Sequence, residues 1–479
     1  MESGEPLTGR DQKLVLFILA LSSFMASLDA TIVNISLPAI AGSFMVPMNS
    51  VSWVAMSYLL VLSGFLLVMG KLGDMKGFRR VFIAGFAIFT VGSLLCAMAT
   101  DIRFLIGYRF IQGIGAAALE AIGPAMIALY LPKEMRGKAL GILATIVSLG
   151  IAAGPILGGF LTEYLSWHWI FLINVPVGIV AVVASLRFLP GDRVIAKKDS
   201  RFDAPGAVLF FFALVTFLWP VNEGLTLGWT DPAIIGSFAV SFILWILFIL
   251  RELRCEDPLC DFALFRNRNF LAGTLAAAIL MFAFSGTEYL LPFFFEGVLD
   301  YRADVAGMLL AIPAVALMFC GPVAGAISDR IGSRVPSTVS ALFAAGTFLL
   351  ISTFSPATSL LFIVLALLCT GIAVGFFFPP NMNQILGESR EGEAGAGSAI
   401  MMTMKNVGST IGIAVMGTIA VYTIIVRLSF NPTTPVSQIL PGALTEGFSV
   451  AVAAAAFFII PAVILSALAK DRPSEESAR

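Results

Sequence analysis

Five charged residues sit inside otherwise apolar runs of this sequence: Asp29, Arg109, Glu120, Glu288 and Lys405. A charge within a bilayer costs about 2.5–3.5 kcal/mol even on a lenient insertion scale, so each needs a partner or a task. A carboxylate there can take up and release a proton, and its affinity for that proton depends on solvation and on neighbouring charge. The chemistry on offer is proton exchange and charge pairing, not bond making. There is one histidine, His168, and no Gly-x-x-x-x-Gly-Lys-Ser/Thr phosphate loop. Neither histidine-based catalysis nor ATP-driven work is expected, and the chain is not expected to be an enzyme or to need a cofactor. The five cysteines are scattered. Cys255 and Cys260 share a loop without a histidine nearby, so no metal site and no disulfide framework are expected.

Those charges require helices that cross a membrane. Of the 479 residues, 58% are hydrophobic and 12% charged. Mean hydropathy is +0.95. A soluble domain carries about 25% charged residues, so a polytopic membrane protein is expected. Lys and Arg (29) nearly balance Asp and Glu (30), which gives no reason to expect a nucleic-acid partner. A spanning helix needs about 20 apolar residues. Fourteen such stretches lie near 14–38, 51–70, 81–99, 104–129, 138–161, 168–187 and 204–221, then 232–250, 269–293, 303–325, 335–354, 358–380, 396–424 and 445–469. With the N-terminus placed inside, 24 of the 29 Lys and Arg fall in cytoplasmic segments, three (Arg103, Arg302, Arg427) fall outside, and Arg109 and Lys405 fall within the membrane. That bias predicts a multi-pass protein of the cell (cytoplasmic) membrane with both termini cytoplasmic. The first span carries Asp29 and no cleavage site, so it reads as a retained helix and not a signal peptide.

Counting along the helices sets the depths of the charges. Asp29 in span 1 and Arg109 in span 4 lie within about one turn of the same depth. They can meet if the two spans share a cavity, either as a static salt bridge or as a pair that opens when Asp29 takes a proton. Glu120 lies eleven residues after Arg109, on nearly the same face. It reads as a second protonation or cation-binding group, or as an acid turned away from substrate. Glu288, late in span 9, is a vestibule acid or merely interfacial. Lys405 fits a structural or gating pairing with an acid. Trp53, Tyr58, Gln112 and Tyr289 complete the expected cavity with Asp29, Glu120 and Glu288, although the aromatics also fit ordinary packing. Three acids against two bases favour lipophilic cations. His168, between Trp167 and Trp169, fits an interfacial aromatic belt.

The chain also repeats itself. Gly70, Asp74, Gly77 and Arg79 follow span 2, and Gly325, Asp329, Gly332 and Arg334 follow span 10 at the same spacing, 255 residues later. The repeat pairs spans 1–6 with spans 9–14. It predicts an all-α membrane protein with a six-helix bundle over 1–190, an inserted hairpin of spans 7 and 8 over 191–268, and a second six-helix bundle with its tail over 269–479. Parallel halves related by an axis along the membrane normal are a transporter plan, with substrate bound between them near the midplane. The turns, with Arg330 beside Asp329, suit a conformational gate whose charges pair across the seam.

These turns resemble the signature loop of the major facilitator superfamily, and further stretches resemble its fourteen-helix drug:proton antiporter branch. They are Leu28 to Pro38 in span 1, Arg109 with Gln112 and Gly113 in span 4, and Gly150, Gly154, Pro155, Gly158 and Gly159 in span 5. Trp167 to Pro176 and Phe202 to Gly206 open spans 6 and 7 in the same style. The sequence departs from that pattern at Met75 and Phe78, at His168 and Lys405 where arginine is usual, and at Glu296 where glutamine is. The resemblance implies the major facilitator fold, Asp29 and Arg109 as proton-coupling residues, and the span 5 glycines as an exporter's motif. It points to a multidrug efflux transporter that gives antibiotic resistance: small amphipathic, cationic compounds leave against entering protons by alternating access, through a protein functional as a monomer. A dedicated exporter of a metabolite, peptide or lipid shares every one of these features. A non-transporting membrane sensor would not need Asp29 and Arg109 to be coupled.

Overall fold

The computed structural model describes residues 9–131, 133–191, 203–255, 258–259, 262–387, 394–430 and 436–469. Phe202, Cys260 and several basic residues that set the expected orientation, among them Arg193, Arg390 and Arg479, lie outside them. The described chain is helical, with no strand. The first part contains α1 (Gly9–Phe44), α2 (Met48–Lys76), α3 (Phe78–Ala97), α4 (Ile102–Tyr130), α5 (Lys133–Tyr164), α6 (Trp169–Leu172) and α7 (Asn174–Phe188). A hairpin of α8 (Ala204–Leu227) and α9 (Pro232–Glu252) follows. The second part contains α10 (Arg268–Gly297), α11 (Ala303–Ile331), α12 (Arg334–Ile351), α13 (Leu360–Gly387), α14 (Ala394–Ser429), α15 (Val436–Phe458) and α16 (Ile460–Leu468).

Fourteen stretches are long and apolar enough to cross a membrane, and they coincide with the fourteen read from the sequence. Two are interrupted once, α6 from α7 at Ile173 and α15 from α16 at Ile459. Pro176 and Pro461 lie just beyond these points, and a proline without an N–H removes one rung of the helical ladder. Side chains close several exposed helix starts. Asp101 accepts from the Arg103 N–H at 2.8 Å and Asp231 from the Ala233 N–H at 2.7 Å, which satisfies donors that have no helical partner.

The internal repeat is visible in the backbone. Gly77 and Gly332 end α2 and α11 with φ of 100° and 88°, and each N–H bonds back to the carbonyl four residues earlier, Gly73 and Ser328. Among the described residues, the two non-glycine residues with positive φ, Met45 (52°) and Asp300 (53°), are also 255 apart, just after α1 and α10. Helix packing follows the same symmetry. α1 packs on α5 as α10 packs on α14, and α3 packs on α4 as α12 packs on α13. The halves meet where α5 crosses α11 and where α14 crosses α2. Exchanging the two halves turns one of these contacts into the other. The hairpin lies outside this core, with α8 against α2 and α14 and α9 against α8.

α1 begins, and α16 ends, at what we call the terminal end of the bundle. The α1–α2 and α10–α11 turns lie at the far end. Among the described residues, α4 and α5 make no extended packing with α13 or α14.

Candidate functional site

Asp29 is fully buried in α1 and is held by three side chains from two other helices. Arg109 Nη1 donates to Oδ2 at 2.6 Å, while Gln112 Nε2 (2.8 Å) and Asn174 Nδ2 (3.0 Å) donate to Oδ1. Arg109 and Gln112, three residues apart, share one face of α4, and Arg109 also donates to Gln112 Oε1 at 2.7 Å. The guanidinium is 1% exposed. Its Nε donates to the Val54 carbonyl at 3.1 Å, and its face lies 4.1 Å from the Tyr58 ring and 5.7 Å from the Phe171 ring. Gln112 Nε2 reaches further, to Ser93 Oγ at 2.8 Å on α3. α1, α2, α3, α4, α6 and α7 therefore all supply groups to one dry ionic cluster. Such a pair gains from low dielectric only because the remaining lone pairs and N–H groups are satisfied. The depth count placed Asp29 and Arg109 at one level; Ser93 and Asn174 escaped it, because a polar residue's partner depends on how its helix is rotated.

The seven residues expected to line one cavity do not gather in one place. Asp29, Gln112 and Tyr58 are buried inside the first half. Tyr289 lies at the seam, and its hydroxyl donates to the Met48 carbonyl at 2.6 Å. Trp53 is partly buried against the core. Glu288 lines a small crevice inside the second half with Phe284, Thr287, Pro313 and Thr370. Glu120 of α4 has an opposite charge from the other half, Lys405 of α14, within electrostatic reach. It and Lys405 are half-buried, and each is the charged group whose field the other feels. Lys405 Nζ also lies 5.9 Å from the Phe378 ring. Lys405 thus has an acid within electrostatic reach, Glu120, although no ion pair joins the two. The tally of three acids against two bases, from which a cationic substrate was expected, does not describe one cavity: Arg109 neutralises Asp29 within its own half, and Glu288 stands apart.

The span 5 glycines bring helices close together on two sides. A methyl group at Gly154 would sit 2.0 Å from Thr31 Oγ1 on α1, and one at Gly158 would sit 2.6 Å from Ile35. Gly150 likewise faces Ser27. Gly159 turns the other way, and a methyl group there would lie 2.3 Å from the Ala303 carbonyl oxygen on α11. α11 replies with Gly307, whose added methyl would lie 2.2 Å from the Pro155 carbonyl oxygen. One motif thus packs α5 on its own half and on the opposite one.

Just beyond, at the far end, charges fasten the halves. Arg302, which precedes α11, pairs with Glu163 of α5 at 3.0 Å and with Asp304 at 3.2 Å. Arg302 donates to the Tyr164 hydroxyl at 2.7 Å, and that hydroxyl donates to Asp304 Oδ2 at 3.0 Å. Behind this clasp, Glu296 Oε1 is buried with no hydrogen-bond partner among the described residues. In the sequence Arg302 read only as an outer-loop basic residue and Glu296 as a departure from the family's usual glutamine, with nothing to join them. Side-chain bonds are described at both gate turns. Arg79 donates to the Leu186 carbonyl at 2.6 Å, and Asp329 accepts from Asn383 Nδ2 at 3.0 Å. Both bonds stay within one half. Gly70 has open space where a side chain would project, Asp74 is half-buried, and Arg330 and Arg334 are exposed. His168 stacks on Trp167 with ring centroids 3.7 Å apart, and partial burial lowers its proton affinity below the ordinary histidine range.

Comparison with known proteins gives one consistent result. Residues 19–413 match the family model described as Major Facilitator Superfamily. The chain is 33% identical over 405 residues to the riboflavin transporter RibZ of Clostridioides difficile, covering 84% of this chain and 86% of that protein. It is 32% identical over 412 residues to the multidrug resistance protein Stp of Mycobacterium tuberculosis, covering 86% and 76%. It is 31% identical over 415 residues to the methylenomycin A resistance protein of Bacillus subtilis, covering 85% and 87%. Among solved structures, a bacterial homologue of the human lysosomal transporter Spinster, inward-facing and unoccupied, superposes with a TM-score of 0.73. It is 16% identical and covers 97% of this chain and 98% of that one, a likeness of fold.

Proposed function

The chain belongs to the major facilitator superfamily, and from that premise we propose that it is a proton-coupled secondary antiporter that exports small amphipathic compounds across the cytoplasmic membrane. Its termini lie in the cytoplasm, and the far end faces out. It works as a monomeric carrier without a cofactor or catalysis. One observation carries this reading: a carboxylate and a guanidinium, Asp29 and Arg109, are in contact at 2.6 Å within the membrane and are shielded from water. Such a pair holds two states of different charge. When a proton neutralises Asp29, the attraction to Arg109 falls away, and the cation is left to Val54, Gln112 and the ring of Tyr58. Changing that balance changes how α1 and α4 pack. Because Gly154 and Gly158 lock α1 to α5, and α5 crosses the seam on α11, the change reaches the interface of the halves. Asp29 is the proton carrier, Arg109 couples it, Glu120 is a second protonation group, and the two glycine turns limit the switch.

The substrate path carries Glu120 and Lys405, one charge of each sign. That balance favours neutral or zwitterionic amphiphiles as well as cations, so a dedicated exporter of a polar aromatic metabolite is the second reading, and the riboflavin transporter among the relatives agrees with it. The test is flux in proteoliposomes under an imposed pH gradient, with ethidium and riboflavin as probes. Gradient-driven flux of either that collapses in Asp29→Asn is the expected result. The double variant Asp29→Asn, Arg109→Gln leaves no stranded charge in the buried cluster, and a melting temperature close to wild type in it separates a loss of coupling from misfolding. Flux indifferent to both the gradient and these substitutions would overturn proton coupling through Asp29.

A further inference from the structure

Outside the seam, the α8–α9 hairpin forms a second feature made for binding. A groove of about 530 Å³ is lined by Leu209 of α8, by Leu247, Leu250 and Arg251 of α9, and by Arg254 and Cys255 just beyond it. We propose that this groove binds an anionic membrane phospholipid, its phosphate on the two arginines and the start of an acyl chain along the leucines.

The sequence alone puts these groups in line. Leu247, Leu250, Arg251 and Arg254 recur at i, i+3, i+4 and i+7, one face of a helix that changes from apolar to basic as it leaves the membrane. Leu247 and Leu250 are 46% and 45% exposed. Only 17% of the membrane-crossing part of α9 is buried within the protein, so this face meets lipid. The polar end is preorganised. Arg251 Nε donates to Asp203 Oδ1 at 2.7 Å, and the same oxygen accepts the Gly206 N–H at 3.0 Å to cap α8. That anchor uses one edge of the guanidinium, whose side chain is still 43% exposed. Arg254 is exposed and pairs with no acid among the described residues. Two guanidiniums one turn apart present several N–H groups to a phosphate's oxygens, the geometry in which arginine excels. Basic pockets beside membrane helices at the cytoplasmic face suit anionic head groups. The leucines decide between sources of phosphate, because a free anion gains nothing from a wall of exposed leucine at hydrocarbon depth.

The experiment is native mass spectrometry of the purified full chain with phosphatidylglycerol or phosphatidylcholine, with and without millimolar inorganic phosphate. Wild type should retain one phosphatidylglycerol in preference to phosphatidylcholine, and phosphate should not displace it. Arg254→Ala should lower its occupancy about fivefold, and Arg251→Ala with Arg254→Ala should abolish the preference. Arg266→Ala, at an exposed arginine outside the groove, should leave it unchanged. Equal retention of the two lipids would overturn the proposal, as would occur if another part of the chain covered the groove. Displacement by phosphate, or a loss in Arg266→Ala equal to that in Arg254→Ala, would overturn it too.

Discussion

Asp29 and Arg109 show how a buried charge is made tolerable. Its two oxygens take donors from Arg109, Gln112 and Asn174, so the carboxylate leaves water for a shell nearly as generous. Removing one partner of such a pair costs more than the pair contributes, because it strands the other charge. Arg109→Ala should therefore destabilise the protein by about 3–5 kcal/mol, read as a lower melting temperature in detergent by a thiol-reactive dye. Asp29→Ala in the same background should recover most of that loss, since the charge left stranded is then gone. If both single substitutions left the melting temperature unchanged, the cluster would not be stabilising the bundle. Residue type and depth were enough to match Asp29 with Arg109 across 80 positions. Gln112 and Asn174 were visible as members of motifs, but their bonds to Asp29 depend on how α4 and α7 are rotated, which apolar periodicity in an all-round hydrophobic helix does not specify.

The helices themselves were easy to read because each is an apolar run closed by charge, glycine or proline, and hydrocarbon thickness fixes its minimum length. What lay beyond that minimum was not readable. α1 extends from Gly9 to Phe44 and α14 from Ala394 to Ser429, well past the runs that suggested them, because helices buried in protein need not stop at the edge of the hydrocarbon. The repeat was legible at Gly77 and Gly332, where positive φ favours glycine. It was hidden at Met45 and Asp300, which share a backbone conformation without sharing a side chain. The glycine motif of α5 yields the sharpest test at this scale. Gly159 lies against the backbone of Ala303, so there is no flexible side chain to give way. Gly159→Leu should part α5 from α11 at the far end and shift the population away from the far-closed state. Spin labels on the far ends of α5 and α11 should then report a longer distance in pulsed electron resonance, whereas an unchanged distance would mean that this contact does not set the conformation.

Taken as a whole, the molecule has two halves with one backbone plan and different chemistry. The position 255 residues after Asp29 is Phe284, so the second half carries no counterpart of this carboxylate there, and the halves touch along the seams α5–α11 and α2–α14. Closure at the far end rests on close glycine packing and on the Arg302 clasp with Glu163, Asp304 and Tyr164. Arg302→Ala should leave the fold intact and raise the labelling rate of a cysteine placed in the seam when a membrane-impermeant reagent is added from the far side. An unchanged rate would show that packing alone holds the closure. Arg302 is 55% exposed, which makes the clasp the part of that closure the surrounding medium reaches directly. The distance over which such charges act falls from about 30 Å in 0.01 M salt to about 8 Å at 0.15 M. The latch would hold a little more firmly in fresh water than in brine, so salinity tunes how readily the far end opens.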